Sequence, residues 1–243
     1  MKLLLVMAPA ETFAERDVET NVESSAEWKP LDRRVIVRII RRLNKVYGYE
    51  RYTRMRANPF RVLIGVILSH QTTDEVSHPA AEKIFKRAKT PRDFVRLGVK
   101  NVDAQIKNVN YHPTKARRIV AISKMLIEEF KGKVPDTREK LMELPGVGGK
   151  SADIVLSYAY DVPTIAVDTH VRAITQRLHL TKNKDPEKIH HDLHRIIPKK
   201  YWLEVNSLFV DFGKDICTSP RPKCYKCPIV KLCPYENKNL QPL

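Results

Sequence analysis

The chain has 243 residues, 42% of them hydrophobic, enough to bury one large core or two smaller ones. Its formal net charge is +16, but residues 1–29 carry six acids against three bases, so that segment is −3 and the remainder +19. No stretch approaches the roughly 20 apolar residues of a membrane span, and the apolar run after Met1 breaks at Pro9 before it serves as a secretory core, so an intracellular protein with no membrane partner is expected.

A body this basic is expected to meet a polyanion, nucleic acid first, because each neutralised phosphate releases condensed counterions. The plainer alternative is a generic basic surface. The acidic start, residues 1–29, is expected to be poorly ordered.

From Arg33 to Tyr47, Ile36, Ile39, Ile40, Leu43 and Val46 recur at helical spacing, with Arg34, Arg38, Arg41, Arg42 and Lys45 between them. This predicts an amphipathic helix. Asn58 as cap and Pro59 in first place open a second helix. Its run Val62, Leu63, Ile64, Val66, Ile67, Leu68 is apolar all round, so this helix is expected at the centre of a core, carrying "LSHQTTD" at its end. Thr90, Pro91 and Asp93 punctuate a third segment that reaches Gly98. A further helix runs from Lys115 to Lys131 and stops at Gly132, and Asp136 with Glu139 suggests a capping box. No segment alternates like a strand, so the fold class is all-α.

"ELPGVGGKSADIV" (143–155) spends three of the chain's eight glycines, Gly146, Gly148 and Gly149, directly before Lys150. A helix is expected to end near Leu144 and another to begin near Lys150. Glycines between them permit positive φ and close backbone approach. The unpaired N–H groups opening the second helix form an anion seat; an ordinary tight helix–helix turn is the alternative. Asp168, before "THVRAITQRL", is a natural helix cap.

All four cysteines fall in "CTSPRPKCYKCPIVKLC" as C-x6-C-x2-C-x5-C. Such clustering points to a metal site rather than to disulfides. Spacing alone admits a four-thiolate zinc site or an iron–sulfur cluster. "HHDLH" places His190 and His194 one turn apart, and with His191 they are expected on a solvated helix surface.

"LPGVGGKSA", then "PTIAVDTHV" with Asp168 18 residues after Lys150, and the four-cysteine tail together resemble the helix-hairpin-helix, glycine/proline-rich, aspartate family of DNA glycosylases (HhH-GPD), and within it endonuclease III. The resemblance covers about residues 30–236. It implies a two-domain fold: a six-helix domain over 52–162 holding the hairpin (about 137–160), and a second domain from 30–51 plus 163–236 holding a cluster loop at 217–233. DNA would lie across the cleft, with Lys150 and Asp168 on its two sides.

It implies a base-excision-repair glycosylase that removes damaged, foremost oxidised, pyrimidines and cuts 3′ to the abasic site. Lys150 would be the nucleophile, once desolvation and the helix end lower its pKa. Asp168 would be the catalytic carboxylate. Gln71 would fill the hole left by the flipped base and Tyr111 would wedge the opposite strand. Gly146, Val147, Gly148, Gly149, His170, Arg221 and Lys223 would contact DNA. A [4Fe–4S] cluster would sit on Cys217, Cys224, Cys227 and Cys233. The partner would be double-stranded DNA carrying a damaged base or abasic site, bound by a monomer.

Two departures from the family pattern stand out, the first bearing on the wedge at Tyr111 and the second on lesion preference. Asn110 and His112 stand where the family has a glycine and an aromatic. Asp211, Gly213 and Lys214 replace a histidine-glycine-arginine triplet. The rival readings are a monofunctional thymine or uracil mismatch glycosylase, against which Lys150 speaks, and a non-catalytic DNA-binding or redox protein.

Overall fold

Asp32 opens the first helix, α1 (Arg33–Tyr47): its carboxylate accepts the Arg34 N–H at 2.7 Å, and Gly48 ends the helix at φ 61°. The computed structural model describes residues 29–48 and 57–242. The expected disorder of the acidic start, apart from Lys29, and the boundary at residues 51–52 lie outside them. Asn58 Oδ1 accepts from the amides of Phe60 and Arg61, and Pro59 begins α2 (Pro59–Ser69). There follow α3 (Asp74–Phe85), α4 (Pro91–Gln105), α5 (His112–Glu128), α6 (Arg138–Met142), α7 (Gly149–Tyr160), α8 (Thr169–Arg177), α9 (Pro186–Ile196) and α10 (Trp202–Asp215). Among the described residues there is no strand, and no helix is long and apolar enough to cross a membrane.

The buried side chains form two clusters. One runs from Phe60 to Ala159 and takes in α2 to α7. Leu63, Ile64, Ile67 and Leu68 of α2 are wholly buried in it, each contributing roughly 1.5–3 kcal/mol. Phe60, Phe85 and Phe94 close one end with edge-on rings 5.4–6.1 Å apart. The other cluster joins Ile36, Ile39, Ile40 and Leu43 of α1 to α8, α9, α10 and the cysteine loop. Among the described residues the chain thus runs from the second cluster at α1 into the first and returns to the second at α8. Asn44 Nδ2 donating to Glu204 at 3.1 Å fixes α1 against α10.

Several expectations are corrected. The Thr90–Asp93 capping box is present, but α4 passes Gly98, which sits as a kink at φ 72°. No box forms at Asp136: α6 begins after Thr137, without a side-chain cap, and lasts five residues. Gln71 is not on α2, which ends two residues earlier because the chain turns at His70. The "HHDLH" surface reading fails. His191 is exposed, but His190 is buried and His194 half-buried. His190 Nδ1 lies 3.2 Å from both the Ile165 carbonyl and Asp153 Oδ2.

Candidate active site

The hairpin forms because α6 ends at Met142 and Val147 N–H bonds back to the Leu144 carbonyl at 3.0 Å. Gly146 takes φ +80°, a backbone that favours glycine, and a Cβ there would also crowd Arg118 Cδ at 2.7 Å. Gly148 makes no use of the positive φ open to it: it is extended at φ −101°, with open space where a Cβ would go. Gly149 has a different reason to be glycine: a Cβ would meet Arg138 Nη2 and Glu187 Oε1. Val147 is buried and its N–H is used within the turn.

Gly148 caps α7 without a side chain, and no side-chain group bonds the first-turn amides. Those N–H groups point outward with the positive end of the helix behind them. Lys150 stands there and is exposed, so the expected desolvation of its amine is not present in the free protein. Beside it, Ser151 Oγ shares a 2.9 Å hydrogen bond with His70 Nε2. Burial first, then Lys115, Lys150 and Arg118, push the His70 pKa down to about 4.

Lys115 is 2% exposed. Its ammonium donates to the Leu68 and His70 carbonyls at 2.8 and 2.5 Å and to the Thr72 hydroxyl at 2.9 Å. It thus satisfies carbonyls at the end of α2 and grips the loop to α3. Burial, then Arg118, lowers its pKa to about 8. The loop's tip is Gln71, exposed at φ 49°; Tyr111, 65% exposed at φ 58°, opens α5.

Asp168 is half-buried, and its Oδ1 accepts from Val171 N–H at 2.8 Å, capping α8. His170 lies against α10: a Cβ at Gly213 would stand 2.5 Å from its Nδ1. That packing accounts for the glycine at 213. Arg221 is exposed, whereas Lys223 Nζ donates to the Asp215 carbonyl at 2.9 Å.

Cys217, Cys224, Cys227 and Cys233 line one cavity with Arg177, Phe212, Ile216, Ile229 and Tyr235. Arg177 donates to Cys217 Sγ at 3.2 Å and to the Cys217 carbonyl at 2.8 Å. Burial raises the thiol pKa of Cys217 and Cys233, and that of Cys227 to about 11. Among the described residues no three His, Cys, Asp or Glu side chains gather closely enough to hold a metal ion; all four thiols line the one cavity.

Residues 64–199 match the model of the HhH-GPD superfamily base excision DNA repair proteins. The chain belongs to that superfamily. It is 39% identical to endonuclease III of Thermotoga maritima over 181 residues, 74% of this chain and 85% of the relative. Against endonuclease III of Escherichia coli K12 it is 34% identical over 208 residues, 81% and 99% of the two chains. The structure of a trapped endonuclease III–DNA covalent intermediate superposes with a TM-score of 0.78 at 33% identity, covering 84% of this chain and 97% of that one. A thermostable thymine-DNA glycosylase, TM-score 0.74 at 23% identity over 84% of this chain and 95% of that one, shares the fold. The chain is therefore a DNA glycosylase of base excision repair.

Around the glycosylase's hairpin, sequence reading missed His70, Ser151, Lys115 and Arg118. A lysine four residues into an otherwise apolar-faced helix was the available signal for Lys115. His70 yields a pH prediction. Its folded pKa, about 4, lies below the ordinary 6.5. Above pH 6.5 both folded and unfolded imidazoles are neutral. As pH falls from 6.5 toward 4, the unfolded chain takes up a proton that the folded chain refuses, so stability is lost across that window. Urea midpoints from pH 7.5 to 4.5 should fall less steeply in His70→Asn than in the wild type; parallel curves would refute the assignment.

Proposed function

We propose that this glycosylase removes damaged, foremost oxidised, pyrimidines from double-stranded DNA and then cuts 3′ to the abasic site by β-elimination, with Lys150 as nucleophile. The observation that carries it is Lys150 itself, exposed on the first turn of a helix whose opening amides have no cap. The Gly148, Gly149 and Lys150 amides receive a backbone phosphate there, with Arg118 beside them at Gly146. The neutral Lys150 amine attacks C1′ as the bond to the base breaks. The base leaves with that electron pair and gains a proton, and the opened sugar becomes a Schiff base on Nζ. Loss of a C2′ proton then expels the 3′ phosphate, and water releases the lysine. Asp168, held by the α8 cap, counters charge developing at the sugar and serves as proton acceptor.

Gln71 and Tyr111, the two exposed tips, enter the duplex as the base flips. Arg221 and His170 contact backbone phosphates, and Lys223 does so on leaving the Asp215 carbonyl. The two buried clusters are read as two domains with the duplex across both, bound by a monomer in the cytoplasm. Cys217, Cys224, Cys227 and Cys233 would hold a [4Fe–4S] cluster. Four thiols lining one cavity, with Arg177 donating to one of them, suit a group of several metal atoms better than one ion. When bound, the cluster supplies a cross-link that fixes the basic loop.

The test is a panel of identical duplexes carrying an oxidised pyrimidine, uracil, mismatched thymine or an abasic site. Oxidised pyrimidine should be excised fastest, and borohydride should trap a covalent complex on the abasic duplex. The same protein, prepared without oxygen, should be brown and contain iron and sulfide. Excision with free abasic product and no trapping would make the enzyme monofunctional.

A further inference from the structure

Gln71 and Tyr111 share an uncommon backbone. Ser69 to Thr72 form a turn closed by Thr72 N–H to the Ser69 carbonyl at 3.1 Å. His70 holds φ −57°, ψ 118°, and Gln71 follows at φ 49°. That is a type II turn with glutamine in the third position, where positive φ ordinarily selects glycine. Val109 to His112 form a second turn, closed by His112 N–H to the Val109 carbonyl at 3.1 Å. Tyr111 again holds its third position, at φ 58°. Two adjacent turns therefore each carry a side chain where a glycine would be relaxed. Such strain persists only where the surroundings impose it.

The second position of the Tyr111 turn is Asn110. Its side-chain Nδ2 donates to the carbonyl of Gln71 at 2.6 Å, across 39 residues of sequence. From the interior side, Lys115 on α5 grips the residues flanking Gln71, through the His70 carbonyl and the Thr72 hydroxyl. The amide of Lys115 in turn bonds the Tyr111 carbonyl at 3.0 Å. The two tips are thus fastened together from outside by Asn110 and from inside by Lys115. Asn110 is itself exposed and contributes nothing to either core.

We propose that Asn110 is a positioning residue that joins Gln71 and Tyr111 into one preformed two-pronged probe, and thereby sets how well the enzyme opens lesions that remain stably paired. This rests on the reading of Gln71 and Tyr111 as the groups that enter DNA. A preformed probe spends less binding energy on ordering its own loops when the base leaves the stack. A freed pair of loops must be ordered at that step. The penalty falls on substrates whose base resists flipping and spares those whose base is already loose.

The experiment compares Asn110→Ala and Asn110→Gly with the wild type on one damaged base, paired with its complement or placed opposite a mismatch, and on an abasic duplex. Single-turnover excision from the paired duplex should fall roughly three- to tenfold, the size of one net hydrogen bond. Excision from the mismatched duplex, strand cutting at the abasic site and the thermal midpoint should hold. Gln71→Ala and Tyr111→Ala are measured alongside, together with the Asn110→Ala/Gln71→Ala pair, whose losses should be less than additive. If both tip variants keep the wild-type ratio of paired to mismatched excision, the reading of these residues as DNA probes falls. If the tip variants lower that ratio and both Asn110 variants leave it unchanged, the probe reading stands and the coupling through Asn110 is refuted.

Discussion

Lys150→Gln should abolish borohydride trapping and lower strand cutting by at least about a thousandfold, the scale on which a removed nucleophile registers, while the affinity for an abasic duplex stays within a few-fold of wild type. The competing candidate is Lys115. Chemistry alone favours it, because burial and Arg118 bring its pKa to about 8, so an appreciable share is neutral near physiological pH. Geometry decides against it. Lys115 is 2% exposed and its Nζ is spent on three oxygens, so reaching C1′ would mean breaking all three bonds and unseating the loop of Gln71. Lys150 is exposed at an uncapped helix N-terminus. A gel of trapped complexes for the wild type and Lys150→Gln, with an equilibrium binding curve for each, makes the measurement. Trapping at the wild-type rate in Lys150→Gln would place the nucleophile elsewhere. Lost trapping with lost binding would reduce Lys150 to a phosphate contact.

What was legible in the sequence is what depends on neighbours in the chain. Asn58 before Pro59, Thr90 with Asp93, and Asp168 before Thr169 each act over two or three residues, and each cap is present. The hairpin was legible for the same reason, since Gly146 needs its positive φ whatever surrounds it. Reading failed where a residue's role is set by a partner far along the chain. Gly149 is glycine because Arg138 and Glu187 meet above it. Gly213 is glycine because His170 lies on it. The turn at Gln71 carries none of the glycine that a type II turn ordinarily advertises, so "LSHQTTD" read as more helix. The helix in fact ends at Ser69 as the chain turns at His70, and Lys115, 47 residues away from Leu68, takes up that residue's carbonyl. His190 and His194 looked solvated because a charged helix face was taken to meet water, when it meets a buried carboxylate instead.

That carboxylate carries the largest expected loss of stability. Asp153 on α7 is 1% exposed. Its Oδ1 accepts from Arg138 Nε at 3.1 Å and from the Thr164 hydroxyl at 2.9 Å, and its Oδ2 lies 3.2 Å from His190 Nδ1. Arg138 extends on to Glu187 of α9 at 2.7 Å. The group binds both helices of the hairpin to α9, whose buried face belongs to the other core. Asp153→Ala would take the buried carboxylate from Arg138, Thr164 and His190, leaving Arg138 with Glu187 alone and His190 with the Ile165 carbonyl, and removing one member of a buried pair costs about 3–5 kcal/mol. For a chain of this size that is roughly a 10 °C lower melting midpoint. Asp153→Asn keeps an oxygen for Arg138 and Thr164 and should lose clearly less. Glu187→Ala, at a side chain 45% exposed, should cost no more than about 1 kcal/mol. Because α7 also carries Lys150, Asp153→Ala should slow trapping at temperatures where the protein is still folded, as the helix loosens against α9. Denaturation curves and trapping rates for the three variants provide the test. Equal midpoints for Asp153→Ala and Glu187→Ala would show that the buried carboxylate does not bind the hairpin to α9.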